Sequence, residues 1–454
     1  MAFIDILRNL PEVISPTEKK LSFNIKLKWT LIIIVAFFVM SNIALYGADP
    51  GFLDQFEFLA VILGTNFGSI ISLGIGPIVM ASIILQLLVG SQIINIDTKT
   101  EEGKKFFQGL QKLMVFFFII FEAMIYVLMG GIKAAPGYTT IVIFQLMLGG
   151  LVILFMDEVC HKWGFGSGVS LFIAAGVGWQ LITASFGFLG TQGQFQASGK
   201  IISFVVSLIN ADSQGALLAG TSIVATVILF LVVVWAQNLK IEIPLSYDRL
   251  RGYGMKWPLQ FFYANNIPVI LTSALIANLQ LFGGLIQNWS GNPTYFGNIV
   301  NGRAVSGFLY WIDSTNIVER IITGSWENSL LLQTFGHVIF YMFFAATFSV
   351  FWVKTSGMDA TAQSNNILKS GLQIPGFRKD HRILESVLSR YIMPLTVMGG
   401  LAIGLLAALA DVLGTLVGGT ALLLGIMITF QFYQNIAQQH ALDMNPAMKK
   451  IMGV

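Results

Sequence analysis

The chain has 454 residues, of which 55% are apolar and only 11% charged. A soluble domain carries roughly 25% charged residues, so 26 Lys and Arg with 23 Asp and Glu cannot cover a water-facing surface of this length. Disorder is excluded as well, because disordered chains are poor in hydrophobes. The composition is that of one polytopic membrane domain. The single cysteine, Cys160, excludes an internal disulfide or a cysteine-cluster metal site. A net charge of +3 does not by itself suggest nucleic-acid binding.

A helix needs about 20 mostly apolar residues to cross the hydrocarbon core. In chain order the first such run is Trp29 to Ala48. The next, Phe58 to Ile96, is longer than one span needs and holds Gly74, Gly76 and Pro77. Leu113 to Ile132, broken only by Glu122, and Ala134 to Met156 follow. Trp163 to Gly199 is most helix-like over Gly166–Phe188. Ala216–Gln237, Ile267–Ile286, Gln333–Val353, Tyr391–Ala410 and Leu413–Tyr433 complete ten predicted spans.

Lys and Arg set orientation. With ten spans, 22 of the 26 basic residues fall on the side that holds both termini, and only Lys133, Lys200, Arg303 and Arg320 on the other. That bias predicts cytosolic termini. The N-terminus does not read as a cleavable signal peptide, because its apolar run starts near Trp29 and is long enough to span. Phe3 to Leu10 reads as a short helix on the cytosolic surface, or else as a frayed tail.

Three features break the pattern of plain helices. Phe52 to Gly64 is apolar but too short to span, and reads as a re-entrant helix or as part of a kinked span. Pro77-Ile-Val-Met-Ala-Ser82 resembles Pro268-Val-Ile-Leu-Thr-Ser273, which opens a span five later and hence of opposite direction. That hints at inverted repeats, with halves at 1–189 and 216–454 joined by a polar stretch at 190–215. Glu122 lies mid-span, where an ionisable residue is costly. It is either functional or a protonated packing group, with Asn278, Gln280 or Gln86 as neutral partners.

Signatures of catalysis are missing. The sequence has no His-Glu-x-x-His pair and no Gly-x4-Gly-Lys-Ser/Thr phosphate loop. Gly164-Phe-Gly-Ser-Gly168 reads as a turn that lets the fifth span pack closely. No enzyme activity, cofactor or metal is expected. An ion-coupled transporter with inverted repeats competes with a channel, yet one Glu and a few amides are a thin binding site for a charged solute. The loops at 238–260 and 354–391 are long and basic, and hold Arg249, Arg251, Arg378 and Lys379. They read either as topology signal with lipid headgroup contact or as docking loops for a large anionic partner.

Leu73-Gly-Ile-Gly-Pro-Ile-Val-Met-Ala-Ser-Ile-Ile-Leu-Gln-Leu-Leu88 resembles the second-span signature of SecY, the channel subunit of the Sec translocon. Asp157-Glu158, Trp163 to Gly168 and Leu171 to Gly176 are similar to its second signature. Asn266 to Ile270, Gly376-Phe-Arg-Lys379, Arg390-Tyr391 and Pro394-Leu-Thr396 match as well. The likeness runs from Pro11 to the C-terminal tail and is strongest to the archaeal and eukaryotic branch.

The resemblance implies an all-α polytopic membrane protein of ten spans in two inverted five-helix halves. It would be a passive protein-conducting channel with an hourglass pore, multi-pass in the cell membrane. Its implied partners are a SecE-type subunit, a Sec-beta-type subunit, the ribosome, signal peptides, nascent chains and membrane lipid. The positions matching the pore ring are Ile75, Val79, Val169, Ile173, Ile270 and Leu424. The segment at about 52–66 matches the plug, with Phe56, Glu57, Phe58, Leu59, Ile62 and Leu63. Spans two and three would meet seven and eight at a lateral gate with a polar cluster of Glu122, Asn278 and Ser82. Met80 stands where the family has a hydroxyl in span two. Arg249, Arg251, Arg378 and Lys379 match ribosome-docking positions.

Overall fold

A segment that enters lipid must satisfy its backbone polar groups internally, so long apolar runs become helices. The computed structural model describes residues 10–18, 21–49, 66–96, 100–188, 198–247, 254–300, 303–370, 372–373 and 380–444. Its first half carries helices α1 (Phe23–Ser41), α2 (Gly76–Gly90), α3 (Glu101–Leu128), α4 (Thr139–Trp163) and α5 (Gly168–Phe186). Then come α6 (Lys200–Ile209), α7 (Ser213–Gln237), α8 (Ile267–Ser290), α9 (Phe308–Ile312) and α10 (Ile317–Ile322). The last four are α11 (Asn328–Thr355), α12 (Ala360–Lys369), α13 (His381–Leu413) and α14 (Gly419–Met444).

Among the described residues, nine helices are long and apolar enough to cross a membrane. Together with α2 they stand where ten spans were expected. With 15 residues, α2 is about 22 Å long, short of a hydrocarbon core of about 30 Å. Turns at residues 66–75 precede it, closed by Ser69, Ser72 and Gly74 hydrogen bonds. The segment expected to be the plug lies almost wholly outside the described residues, as do Arg249, Arg251, Arg378, Lys379 and all but the last residue of the Phe3–Leu10 segment.

Two expectations about boundaries change. The stretch at 190–215 is not simply a polar connector, because Lys200–Ile209 forms an apolar helix packed on α7. The Phe204 ring sits against Gly220, where a Cβ would come within 3.1 Å. The first span begins earlier than Trp29, at Phe23, and takes in Lys26 and Lys28. Lysine stems can lie along apolar surface while the ammonium reaches the interface. The Lys26 ammonium donates to Gln439 Oε1 at 3.0 Å, and Gln439 Nε2 donates to the Leu21 carbonyl at 3.0 Å. These bonds set the start of α1 beside the end of α14.

Tight helix packing relies on small residues. A Cβ on Gly149 of α4 would lie 1.9 Å from the Ile70 carbonyl oxygen, so that glycine is what lets the turn before α2 sit on α4. In α13, Gly400 and Gly404 face α11, with a Cβ at 2.5 Å from Ser349 Oγ and 2.8 Å from the Tyr341 carbonyl oxygen.

The long loops hold β-structure that the all-helical reading did not resolve. The strands among the described residues are β1 (Ala48–Asp49), β2 (Lys133–Ala134), β3 (Lys240–Tyr247), β4 (Gly254–Gln260), β5 (Asn298–Val300), β6 (Arg303–Ser306) and β7 (Leu372–Gln373), and β3 with β4 forms an antiparallel hairpin with Lys240 opposite Gln260. Strand β7 (Leu372–Gln373), from the other long loop, pairs with β3 through Ser246 opposite Gln373 and Tyr247 opposite Leu372. Ile243, Leu245, Leu259, Leu372, Leu384, Leu388 and Ile392 are buried together beneath this sheet. The two loops are therefore one unit.

A strap at residues 10–18 is pinned to the same face. The Val13 N–H donates to Glu158 Oε2 at 3.0 Å, and the Trp163 indole N–H donates to the Ile14 carbonyl at 3.0 Å. Lys112 pairs with Glu158, and Lys162 with Glu12. The Lys162 ammonium hydrogen-bonded to Glu12 holds that carboxyl below its ordinary 4.5. A depressed carboxyl stabilises above its unfolded pKa, and the contribution is lost as pH falls through the folded value. The Glu12 side chain is largely exposed, so the effect is small. A spin label at Ser15→Cys is expected to keep its mobility from neutral pH down to about 4.5 and to loosen below it. Glu12→Gln should show the loosened state at neutral pH. Equal mobility of parent and variant at neutral pH would reject this pinning.

Candidate functional site

The candidate ring residues sit in the first two turns of four helices, apart from Ile75, which caps the start of α2. Gly74, at φ +52, turns the chain into α2, and Pro77 stands in the first turn of that helix. Pro is tolerated there because its missing N–H has no helical partner to lose. Ile75 precedes this turn and Val79 follows it. The start of α5 is fixed by two caps: Ser167 Oγ accepts from the Ser170 N–H, and Asp157 Oδ1 accepts from the Val169 N–H at 2.9 Å. A Cβ at Gly168 would lie 2.6 Å from the Asp157 Cα, so the glycine-rich turn serves close helix approach. Ile270 lies just past Pro268 of α8, and Leu424 in the second turn of α14.

These helix starts converge on one apolar core. Ile75, Ile173 and Leu424 are completely buried, and Val79 and Ile270 are exposed by 3% and 5%. Val169 packs against the same core from its edge, half-buried. Side chains this buried are out of contact with water.

Beside this core α2 packs against α3, α8 and α11. Glu122 of α3 is fully buried, with its carboxylate against the first turn of α2. A Cβ on Gly76 would approach Glu122 Oε2 to 3.0 Å. Asn278 of α8 is 1% exposed and donates to the Ala274 carbonyl at 2.8 Å. Its Oδ1 and both Glu122 oxygens have no hydrogen-bond partner among the described residues. A buried polar group without a partner is costly, and Asn278 and Glu122 leave three such oxygens in this seam.

The third expected member is engaged elsewhere. Ser82 Oγ donates to the Ile78 carbonyl at 2.9 Å and accepts from Gln111 Nε2 at 2.7 Å. Gln111 lies three helical turns from Glu122 in α3, and its spacing was the available signal. Gln280 is likewise no partner for Glu122, since its Nε2 donates to Asp313 Oδ1 at 3.1 Å. Burial pushes the Asp313 carboxyl up, against the Ala304 and Ser314 N–H donors that favour its ionised form.

Sequence reasoning also missed a buried cluster at the other end of α11. His337, 2% exposed, has Nδ1 at 2.8 Å from the Ile312 carbonyl and Nε2 at 3.5 Å from Asp411 Oδ2. Asp411 Oδ1 accepts from the Thr420 N–H at 2.7 Å. The cluster joins α11, α13, α14 and the end of α9. Among the described residues no group of three His, Cys, Asp or Glu could hold a metal ion.

The sequence matches the SecY family over residues 69–433, and the plug domain of Sec61p over residues 35–68. The chain belongs to the SecY family. It is 42% identical over 453 residues to the protein translocase subunit SecY of Methanothermobacter thermautotrophicus, covering 98% of this chain and 97% of that one. A solved structure of a protein-conducting channel is similar with a TM-score of 0.83 and 36% identity, over 98% of this chain and 99% of that one. Sec61 in the canine ribosome–channel complex from the endoplasmic reticulum is similar with a TM-score of 0.80 and 35% identity, over 98% and 99% of the two chains. The fold is thus the mostly helical, polytopic membrane architecture of SecY and Sec61. The transporter alternative gains no support from these likenesses.

Proposed function

We propose that this SecY-family chain is the pore-forming subunit of a Sec translocon. It passes unfolded polypeptide across the membrane and releases hydrophobic segments sideways into lipid. The observation that carries this reading is the shared burial of Ile75, Val79, Ile173, Ile270 and Leu424 from four helices, with Val169 at the edge. A hydrophobic constriction gates by dewetting, and aliphatic side chains can close around any passing sequence. The chain supplies no driving force of its own in this reading and performs no catalytic step.

The halves are taken as 1–189 and 216–454. Pro77 and Pro268 each open a helix of the matched repeat, which supports an inverted relation. Phe56, Glu57, Phe58, Leu59, Ile62 and Leu63 are assigned to a plug, within the residues matched by the plug family. The lateral gate runs between α2 with α3 and α8 with α11, and Glu122 and Asn278 are its polar pair. Arg249, Arg251, Arg378 and Lys379 are assigned to ribosome docking. The pairing of β3 with β7 supports this, because it joins the two loops that carry them.

The assembly includes a SecE-type and a Sec-beta-type subunit, signal peptides, nascent chains and lipid. The chain resides in the plasma membrane with cytosolic termini. The basic residues crowd that side, and the bonds of Lys26 and Leu21 with Gln439, which hold the start of α1 beside the end of α14, support this reading.

The test is reconstitution in vesicles with co-purified small subunits. Paired cysteines on α2 and α8 should cross-link in the idle channel and lose that cross-link when a signal sequence binds. A cross-link indifferent to signal sequence would remove the lateral gate. Coupled flux of an ion and a small solute would replace the channel reading.

A further inference from the structure

Helices α3 and α8 lie on opposite sides of the gate and pack only thinly along their length. Among the described residues a single hydrogen bond joins them. Asn288 Nδ2, in the last turn of α8, donates to the Met129 carbonyl at 2.8 Å, across 159 positions of sequence. Met129 is the C-cap of α3, so its carbonyl is one of the acceptors that a helix end leaves unpaired. The next residue, Gly130, has φ +74, and a Cβ there would fall 2.8 Å from the same Asn288 nitrogen. The contact therefore needs an amide on one side and a missing side chain on the other. At the opposite end of the gate the closure is apolar: a Cβ on Gly90 of α2 would lie 2.5 Å from the Phe351 ring of α11.

We propose that the Asn288–Met129 bond is a latch on the external end of the lateral gate, and that it sets how hydrophobic a segment must be to leave the pore for lipid. The inference rests on the channel reading above. A closed gate is separated from an open one by the contacts across this seam, and the buried Glu122 and Asn278 contribute few satisfied bonds to it. The latch is made only in the closed state, so its loss favours opening without touching the pore ring. Asn288 also begins the sequon Asn288-Trp-Ser290. A glycan there would be built on the nitrogen that makes the latch, in the space that Gly130 leaves free. The latch thus assigns this side chain a role in its unmodified form.

The experiment uses the full chain with its co-purified subunits in vesicles. Nascent chains carry a test segment in which leucines replace alanines one by one, and the fraction released into lipid is read. Asn288→Ala is expected to lower the number of leucines needed for half release by about one to three, the equivalent of one hydrogen bond on an insertion scale. Asn288→Asp, which turns acceptors toward the Met129 carbonyl, should lower it further. A double variant, Met129→Cys with Asn288→Cys, joined by a short bifunctional reagent, should block release and recover when the link is cleaved. Cys160 is buried and leaves this labelling selective. An unchanged threshold in both single variants, or normal release from the bridged channel, would overturn the latch. A secretory chain with a strong signal sequence is the control. If the parent protein fails to translocate it, the channel reading fails and the latch with it. If the parent translocates it and the thresholds do not move, only the latch fails.

Discussion

Asparagine at Ile173 is expected to turn a channel that is sealed at rest into one that conducts ions. Ile173 is completely buried one turn into α5, in the same core as Ile75, Val79, Ile270 and Leu424. A constriction of branched aliphatic side chains holds no water because nothing in it replaces the hydrogen bonds that water would lose. An amide supplies a donor and an acceptor within this apolar core, and it carries a solvation cost of its own if kept dry. Both effects favour a wetted pore. Resting conductance in planar bilayers should rise several-fold over the parent. Ile173→Leu keeps the volume and polarity and should stay sealed. Loss of a buried isoleucine can also cost roughly 2–5 kcal/mol of stability, so the leak is compared at equal amounts of folded, monodisperse protein. Conductance equal to that of the parent would remove Ile173 from the seal.

Charge reversal at both Arg249 and Arg378 is expected to lower ribosome affinity by roughly tenfold or more at physiological salt. Each arginine fork can engage phosphate oxygens bidentately, and a glutamate in its place repels them. The two residues lie on different loops, 129 positions apart. The pairing of Ser246 with Gln373 and of Tyr247 with Leu372 ties those loops together within a few residues of both. Their effects should therefore be felt by one docked partner. The salt dependence should change too, with the slope of log affinity against log salt falling by about one per lost phosphate contact. Lys256 is a useful contrast, because Glu242 Oε2 already holds its ammonium at 2.8 Å. Lys256→Glu should weaken binding less than either arginine reversal. Unchanged binding of the double variant at physiological salt would reject docking through these loops.

Much of the architecture is legible without coordinates because it depends on one-dimensional quantities. An apolar run long enough to cross the bilayer becomes a helix wherever it stands in the chain, and ten such runs became ten helices. The glycine-rich turn at Gly164–Gly168 reads as a packing device, and a Cβ on Gly168 would lie 2.6 Å from the Asp157 Cα. The Gly74-Ile75-Gly76-Pro77 break marks a helix start within the long run Phe58–Ile96, and α2 begins at Gly76; that it is only 15 residues long is decided by the structure. The helix at Lys200–Ile209 was missed because ten residues fall below the length at which hydropathy signals a span.

The polar contacts were less legible. Ser82 was expected beside Glu122 and Asn278, yet it pairs with Gln111, and Gln280 reaches Asp313 instead. An amphipathic helix of a soluble protein announces its buried face through its polar residues. A helix that is apolar on all sides, facing lipid on one and protein on the other, carries no such mark. The facing of each lone Ser, Gln or Asn is then set by its neighbours.

By itself the sequence determined that this is a multi-pass membrane protein, where its apolar runs and basic loops fall along the chain, and which family it resembles. Those properties sum over stretches of chain, and a sum survives without knowledge of contacts. Only the tertiary structure decided which helix starts share one buried core, that β3 and β7 fuse the two basic loops, and that Asn288 of α8 reaches the Met129 carbonyl at the end of α3. Each of these depends on residues more than a hundred positions apart, or on a hydrogen bond within about 3 Å, and no local pattern in the chain encodes such a distance.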